Sequence, residues 1–418
     1  MASVSLQYQL PSKGGQFTLT QVPTPTPGPN EISIRTKAIA LNGIDWKNRA
    51  FGIMIQEYPA VLGIDAAGTI EAVGSQVQGF QPGDEVLSLA GTDPRSGAFQ
   101  EIFTVPAHFV ARKPAGLSFE QAASLPLVAT TAASAIAVGL GLPLPHESVD
   151  LPPTSERGAG IQSVLVLGGS SGIGAVAIQF LRLVLPAALI LTTASKKHHE
   201  RLLSLGADQC FERSAQDDPT DIRTVAARGA GVDAIIDTVG AAGSQPAVFA
   251  ALNPNGAQLY SQVMTGVGIK APAAVKATVV FARQVFGTPG GQTLIPGLAR
   301  LVESGRVKLP TAVDVVGQGF EAIQPALDRL MKEGESEHRH VSISCYDPGS
   351  IVRPFCNVAG VPGALGDSNV QKIREIGRAE FPSFQGGRAD LLLRRLCQKK
   401  TAGDVGPGKS GDGGSCSP

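Results

Sequence analysis

Four closely spaced glycines, Gly168, Gly169, Gly172 and Gly174, follow the apolar run Val164–Leu167 and open the segment AVAIQFLRLV. An apolar strand, a tight turn and an apolar helix in that order make an anion site. Glycine lets the backbone turn sharply and approach a ligand, and the first N–H groups of the helix sit unpaired at the positive end of its dipole. The candidate phosphate contacts are Gly169, Ser170, Ser171, Gly172, Ile173 and Gly174, and the expected ligand is a dinucleotide. A second group selects among dinucleotides. NAD sites carry an acid about 20 residues past the glycines, on the ribose 2′-hydroxyl. The segment LILTTASKKHHE has no acid before Glu200 and offers instead Ser195, Lys196 and Lys197, a hydroxyl and two ammonium groups suited to a 2′-phosphate. The expected cofactor is therefore NADPH. Asp237 to Gly240, Val239 among them, end a later strand and are expected to border the cofactor. Tyr260, near the end of the next strand on the side where α/β sheets bind ligands, is expected to line the cleft.

These residues need a parallel sheet to hold them. Apolar segments at Ser163–Leu167, Ala188–Thr192, Gln209–Phe211, Val232–Asp237 and Ala257–Ser261 alternate with helical patterns over about 174–185, 196–205, 221–228 and 245–252, which implies an α/β, doubly wound sheet. Ahead of it, residues 1 to about 125 are short β-branched segments divided by turn residues, a compact β-rich unit. Ser118 and Gln121 have the spacing of an N-terminal capping box, and the helical run behind them is split at Pro126. Residues 139–162 read as a surface loop. The end of the chain, TAGDVGPGKSGDGGSCSP, cannot bury enough apolar area to fold, and the tail after about residue 347 is expected to be poorly ordered.

Composition excludes several function classes. Lys plus Arg and Asp plus Glu each number 35, so no net field draws the chain to nucleic acid or an anionic membrane. The N-terminus lacks a signal-peptide pattern and no apolar run has the length of a spanning helix, so a cytoplasmic protein is expected. The five cysteines, Cys210, Cys345, Cys356, Cys397 and Cys416, show no C-x-x-C spacing, and none of the six histidines has metal-ligand spacing. GGSSGIG also fits short-chain dehydrogenases, which use Tyr-x-x-x-Lys. None of Tyr8, Tyr58, Tyr260 and Tyr346 has a lysine four residues on.

The segments EYPAVLGIDAAGTIEAVGS, QPGDEV, GAFQEIFTVPAHFVARKP and LVLGGSSGIGAVAIQF, in this order, resemble the medium-chain dehydrogenase/reductase superfamily over residues 1 to about 335, within it the zinc-free fungal enoyl reductase-like group. The resemblance implies a GroES-like catalytic domain at 1–125, completed by about 311–346 with VSISCYD as the closing strand. It further implies a Rossmann NADPH-binding domain at 126–310, an active site in the cleft between them, and an irregular tail at 347–418. Zinc-dependent members carry Cys where this chain has Asn42, His where it has Ile64, and an acid matching Asp65; isoleucine cannot ligate zinc and asparagine replaces thiolate poorly, so no metal is expected. By resemblance Asn42, Asp45 and Lys47 of LNGIDWKNR belong to the cleft-facing segment, with the Lys47 ammonium placed to bind an enolate or a phosphate-bearing substrate, and Thr130 and Thr131 lie on the helix beside the nicotinamide, where a hydroxyl meets its carboxamide. The implied reaction is hydride transfer from NADPH to an activated C=C of an α,β-unsaturated carbonyl, an enoyl polyketide intermediate among the candidates, with a polyketide synthase as the implied partner. An NADPH:quinone oxidoreductase and a nucleotide-binding scaffold without turnover stay open as alternatives, as do monomer and homodimer.

Overall fold

A computed structural model of the chain describes residues 3–148, 160–266, 268–333 and 340–344. The first part comprises β1 (Val4–Leu10), β2 (Thr18–Pro23), β3 (Glu31–Leu41), α1 (Gly43–Phe51), β4 (Ala60–Val61), β5 (Asp65–Val73), β6 (Glu85–Leu89), β7 (Ile102–Pro106) and β8 (Val110–Arg112). Helices α2 (Phe119–Ala123), α3 (Pro126–Ala137) and α4 (Pro145–Ser148) lead onward. Strands and helices then alternate through β9 (Ser163–Leu167), α5 (Gly172–Val184), β10 (Leu189–Thr193), α6 (His199–Ser204), β11 (Gln209–Phe211), α7 (Thr220–Val225), β12 (Ala234–Asp237), α8 (Ala241–Ser244), β13 (Leu259–Val263), β14 (Lys276–Val280) and α9 (Leu294–Glu303). Last come β15 (Val313–Gln318), α10 (Ile323–Glu333) and β16 (His340–Ser344).

The strands from β9 to β14 form a parallel six-stranded sheet in the order β11-β10-β9-β12-β13-β14. β9 lies at its centre, where the strand order reverses and α/β sheets open a crevice for ligands. Alternation along β9 divides its side chains between two cores. Val164 and Val166 join α3 and α5 in one, while Leu165 and Leu167 join Ile222, Val248 and Phe249 in the other. Both faces are covered, which is why the strand reads as an unbroken apolar run.

The β-rich part is a mainly antiparallel seven-stranded sheet around β3, in the order β15-β16-β3-β5-β6-β8 with β7 also on β3, beside a smaller sheet β2-β1-β4. The closing strand forms: β16 pairs antiparallel with β3 and parallel with β15. The Ser118 capping box closes α2, Gln121 N–H donating to Ser118 Oγ at 3.2 Å and Ser118 N–H to Gln121 Oε1 at 3.0 Å. Several expected elements shift, two of them next to the candidate site. The helix expected over 245–252 is the short α8 followed by a 3₁₀ segment, Pro246–Ala251, because Pro246 cannot supply the N–H that would continue α8. The strand expected at 257–261 runs over Leu259–Val263. Of the expected loop at 139–162, the last part of 139–148 forms α4; residues 149–159 and the tail after 347 lie outside the described residues. Among the described residues no helix is long and apolar enough to cross a membrane.

Candidate active site

The β9–α5 turn is fixed by its own atoms. Gly168 has φ +75°, a left-handed conformation that side chains disfavour. Ser171 N–H donates to Gly168 O at 2.9 Å, and Ser171 Oγ caps α5 by accepting from Gly174 N–H at 3.0 Å. A Cβ on Gly174 would lie 2.3 Å from Gly168 O, so the turn closes only on glycine. With the Gly174 donor taken, Gly172 and Ile173 hold the first-turn N–H groups that a helix start offers to an anion. Val239 covers the turn, its methyls filling the space where a Gly168 Cβ would stand. The Val239 loop is held by the Asp237 carboxylate, which accepts from the N–H groups of Ala241 and Ala242 and from the Tyr260 hydroxyl, each at 2.9 Å.

Beside the turn, Ser195, Lys196 and Lys197 follow the end of β10. A residue that sequence reasoning missed joins them: Arg213 donates to Ser195 Oγ at 2.9 Å. Arg213 stands two residues past β11, the parallel neighbour of β10, just as Ser195 stands two past β10. Lys196, Lys197 and Arg213 are exposed. Burial, followed by the charges of Arg201, Lys197 and Arg213 and by His199, pushes the His198 imidazole below its usual pKa, so positive potential gathers at this strand end. A hydroxyl, two ammonium groups and a guanidinium fit a phosphate monoester.

The opposite wall is assembled from distant segments. The Asn42 side-chain amide donates to Asp65 Oδ2 at 3.0 Å and to Ala40 O at 3.2 Å, and the Asn42 backbone N–H donates to Asp45 Oδ2 at 2.8 Å. Asp65 Oδ1 accepts from Leu127 N–H at 2.8 Å. Asp45 and Asp65 are fully buried and Asn42 nearly so. Burial drives the Asp45 carboxyl up to about 7 against the pull of the Asn42 and Gly63 N–H groups. Burial also raises Asp65, with the Asn42 and Leu127 donors opposing and the neighbouring Asp45 carboxyl adding. Ile64, 4% exposed, packs in the core beside Ala38, Ala40 and Leu87. An amide already committed to Asp65 next to an aliphatic side chain does not fit zinc. Among the described residues no three His, Cys, Asp or Glu side chains are grouped to hold a metal ion.

Lys47, on α1, spans between the walls. Its Nζ lies 5.4 Å from the Trp46 ring centroid and donates to the carbonyl oxygen of Thr265, just past β13. The Thr265 hydroxyl in turn lies 2.9 Å from where a Gly240 Cβ would stand. Lys47, Val239–Gly240 and the Gly168 turn are thus neighbours in sequence-remote order.

The threonines on α3 are held by their own helix. Thr130 Oγ1 donates to Pro126 O and Thr131 Oγ1 to Leu127 O, both at 2.7 Å, so each oxygen presents lone pairs only. Thr130 is fully buried and Thr131 is 5% exposed, which leaves Thr131 as the one with surface to offer. Tyr260 requires correction. It is not a cleft residue: it is 0% exposed, edge-to-face with Phe249 at 4.9 Å, and its hydroxyl is spent on Asp237. The two-residue shift of β13 is the reason, placing Tyr260 second in the strand, opposite Ile235 and Ala277, instead of at its end.

Two family profiles match the chain, "Alcohol dehydrogenase GroES-like domain" over residues 28–115 and "Zinc-binding dehydrogenase" over residues 172–304. A trans-enoyl reductase of Aspergillus terreus is 37% identical over 217 residues, 50% of this chain and 68% of that protein. Two further curated relatives align over 216 residues each, 59% and 56% of their own length. The enoyl reductase component of lovastatin nonaketide synthase, also from Aspergillus terreus, is 31% identical over 332 residues, 75% of this chain and 88% of that protein. Among solved structures, an alcohol dehydrogenase superfamily protein from Novosphingobium aromaticivorans is similar with a TM-score of 0.65 and 27% identity, covering 81% of this chain and 99% of that one.

Proposed function

The chain belongs to the medium-chain dehydrogenase/reductase superfamily, in its enoyl reductase-like group, and from that premise we propose that it is a zinc-free, NADPH-dependent reductase of the activated C=C in α,β-unsaturated carbonyl compounds. The observation that carries the reading is the Asn42–Asp65 bond beside Ile64: the position that resemblance assigns to zinc in other members is filled by a buried amide–carboxyl pair and an aliphatic side chain. Without a metal to polarise an alcohol or aldehyde, the chemistry left to the fold is addition to an already activated double bond.

When bound, the nicotinamide supplies hydride to the carbon β to the carbonyl. The chain's own residues do the rest. Gly172, Ile173 and the Ser171-capped start of α5 bind the cofactor's diphosphate, and Ser195, Lys196, Lys197 and Arg213 bind its 2′-phosphate. Thr131, its hydroxyl proton committed to Leu127 O, accepts from the carboxamide and orients the ring. Lys47 stabilises the enolate oxygen that develops as hydride arrives, exchanging its contact with Thr265 O for the substrate, and the enolate then takes a proton from water at the carbon α to the carbonyl. Relatives named trans-enoyl reductase, and one that is a synthase component, support an enoyl thioester of a polyketide as the acceptor and a polyketide synthase as the partner.

Stopped-flow oxidation of NADPH against NADH, with enoyl thioesters, simple enones and quinones as acceptors, tests the reading. Fast NADPH oxidation with enoyl thioesters is expected. Turnover of quinones alone would assign a quinone reductase instead, and tight NADPH binding with no turnover would assign a scaffold.

A further inference from the structure

Asp65 joins groups that lie 23 and 62 residues away in sequence. One of its oxygens accepts from the Asn42 amide at the start of α1, and the other from Leu127 N–H at the start of α3. Pro126, ahead of Leu127, has no N–H, and Leu125 makes no side-chain cap, so this remote carboxylate caps α3. The path continues, since the carbonyl of the same Leu127 accepts from Thr131 Oγ1 at 2.7 Å. An unbroken line of hydrogen bonds therefore runs from Asn42 through Asp65 and Leu127 to Thr131. A fully buried carboxyl is an expensive way to cap a helix: kept ionised it loses hydration worth roughly several kcal/mol, and burial raises its pKa accordingly. An apolar residue would pack β5 against α3 at lower cost, but it would leave Asn42 and Leu127 unconnected.

We propose that Asp65 is a positioning residue for the reduction: it fixes Thr131 on one side and Asn42, with the α1 start that leads to Lys47, on the other, so that the groups meeting cofactor and acceptor keep one spacing. The proposal rests on the reductase reading above.

Asp65→Asn keeps the shape but turns one acceptor into a donor, so it serves both Leu127 N–H and Asn42 only if the Asn42 amide turns over and gives up its bond to Ala40 O. The reciprocal change, Asn42→Asp with Asp65→Asn, reverses donor and acceptor and restores the 42–65 bond and the carboxyl group, losing only the donation to Ala40 O. In the folded full-length protein, Asp65→Asn is expected to lower kcat and weaken NADPH binding by about tenfold each, with the double variant recovering most of both. Unchanged kcat and NADPH affinity in Asp65→Asn overturns the proposal, as does a loss that the folded double variant fails to relieve. If Asp65→Asn does not fold, the double variant is read against the native chain: recovered folding, NADPH affinity and turnover supports the pairing, and a folded double variant that lacks them overturns it. Calorimetric NADPH affinity separates this from failure of the function itself. A native chain that binds NADPH and reduces no acceptor sinks the reductase reading, and the affinity cycle still decides the role of Asp65.

Discussion

On the cofactor wall a single stretch, Val164–Gly174, supplies the strand, the turn and the capped helix start, and its bonds close within a few residues: Ser171 to Gly168, Gly174 to Ser171. On the acceptor wall Asn42, Asp65 and Leu127 come from three segments and meet only because β5 packs between α1 and the start of α3. The first kind of site fails through local sterics, the second through lost registration between elements. The cofactor turn is thus closed by local bonds, whereas the acceptor wall rests on buried carboxyl groups that give it a titration of its own.

Gly174→Ala attacks the local wall directly and has the largest expected effect. Its Cβ would sit 2.3 Å from Gly168 O and force the turn apart, weakening NADPH binding on the order of a hundredfold by calorimetry. Next is Lys47→Ala, which should cut kcat by about ten- to a hundredfold while leaving NADPH affinity nearly intact. A loss confined to affinity would instead make the Thr265 contact, and not enolate stabilisation, the main task of Lys47. Arg213→Ala should raise the Kd for NADPH about tenfold and leave that for NADH unchanged, which tests whether β11 contributes to the cofactor wall.

The acceptor wall should also show in stability against pH. The Asp45 carboxyl stands at about 7 in the folded chain against an ordinary 3.8, so between those values the folded state holds a proton that the unfolded state has released. Stability contributed at low pH is therefore lost as pH rises through that window, at most about 1.4 kcal/mol per pH unit for this group. Asp45→Asn should flatten the slope of Tm against pH, and an unchanged slope would show that Asp45 is not the group responsible. The smallest effect belongs to Tyr260→Phe, which removes one hydrogen bond to Asp237, about 1 kcal/mol, and should leave kcat near the native value. A large fall in kcat would return Tyr260 to the chemistry.

Much of the parallel sheet was legible because burial on both faces writes itself as apolar runs, and β9 and β11 have the expected bounds. Pro126 at the start of α3 and the Ser118 capping box were readable as local chemistry. The 3₁₀ segment behind Pro246 and the two-residue offset of β13 were not, because several registers of ALNPNGAQLYSQV bury comparable apolar surface and neighbouring strands choose among them. Tyr260 moved from cleft to core for that reason alone.

By itself the sequence determined the glycine turn between strand and helix and the missing acid after the second strand, each a matter of residue type within a short window, and resemblance added that Asn42 and Ile64 stand where zinc-dependent members carry ligands. Only the tertiary structure decided that Arg213 bonds to Ser195, that Lys47 touches the loop beyond β13, and that Asp65 bonds to both Asn42 and the start of α3. These pairings depend on strand order and helix packing, which bring together residues whose separation in the chain carries no local signal.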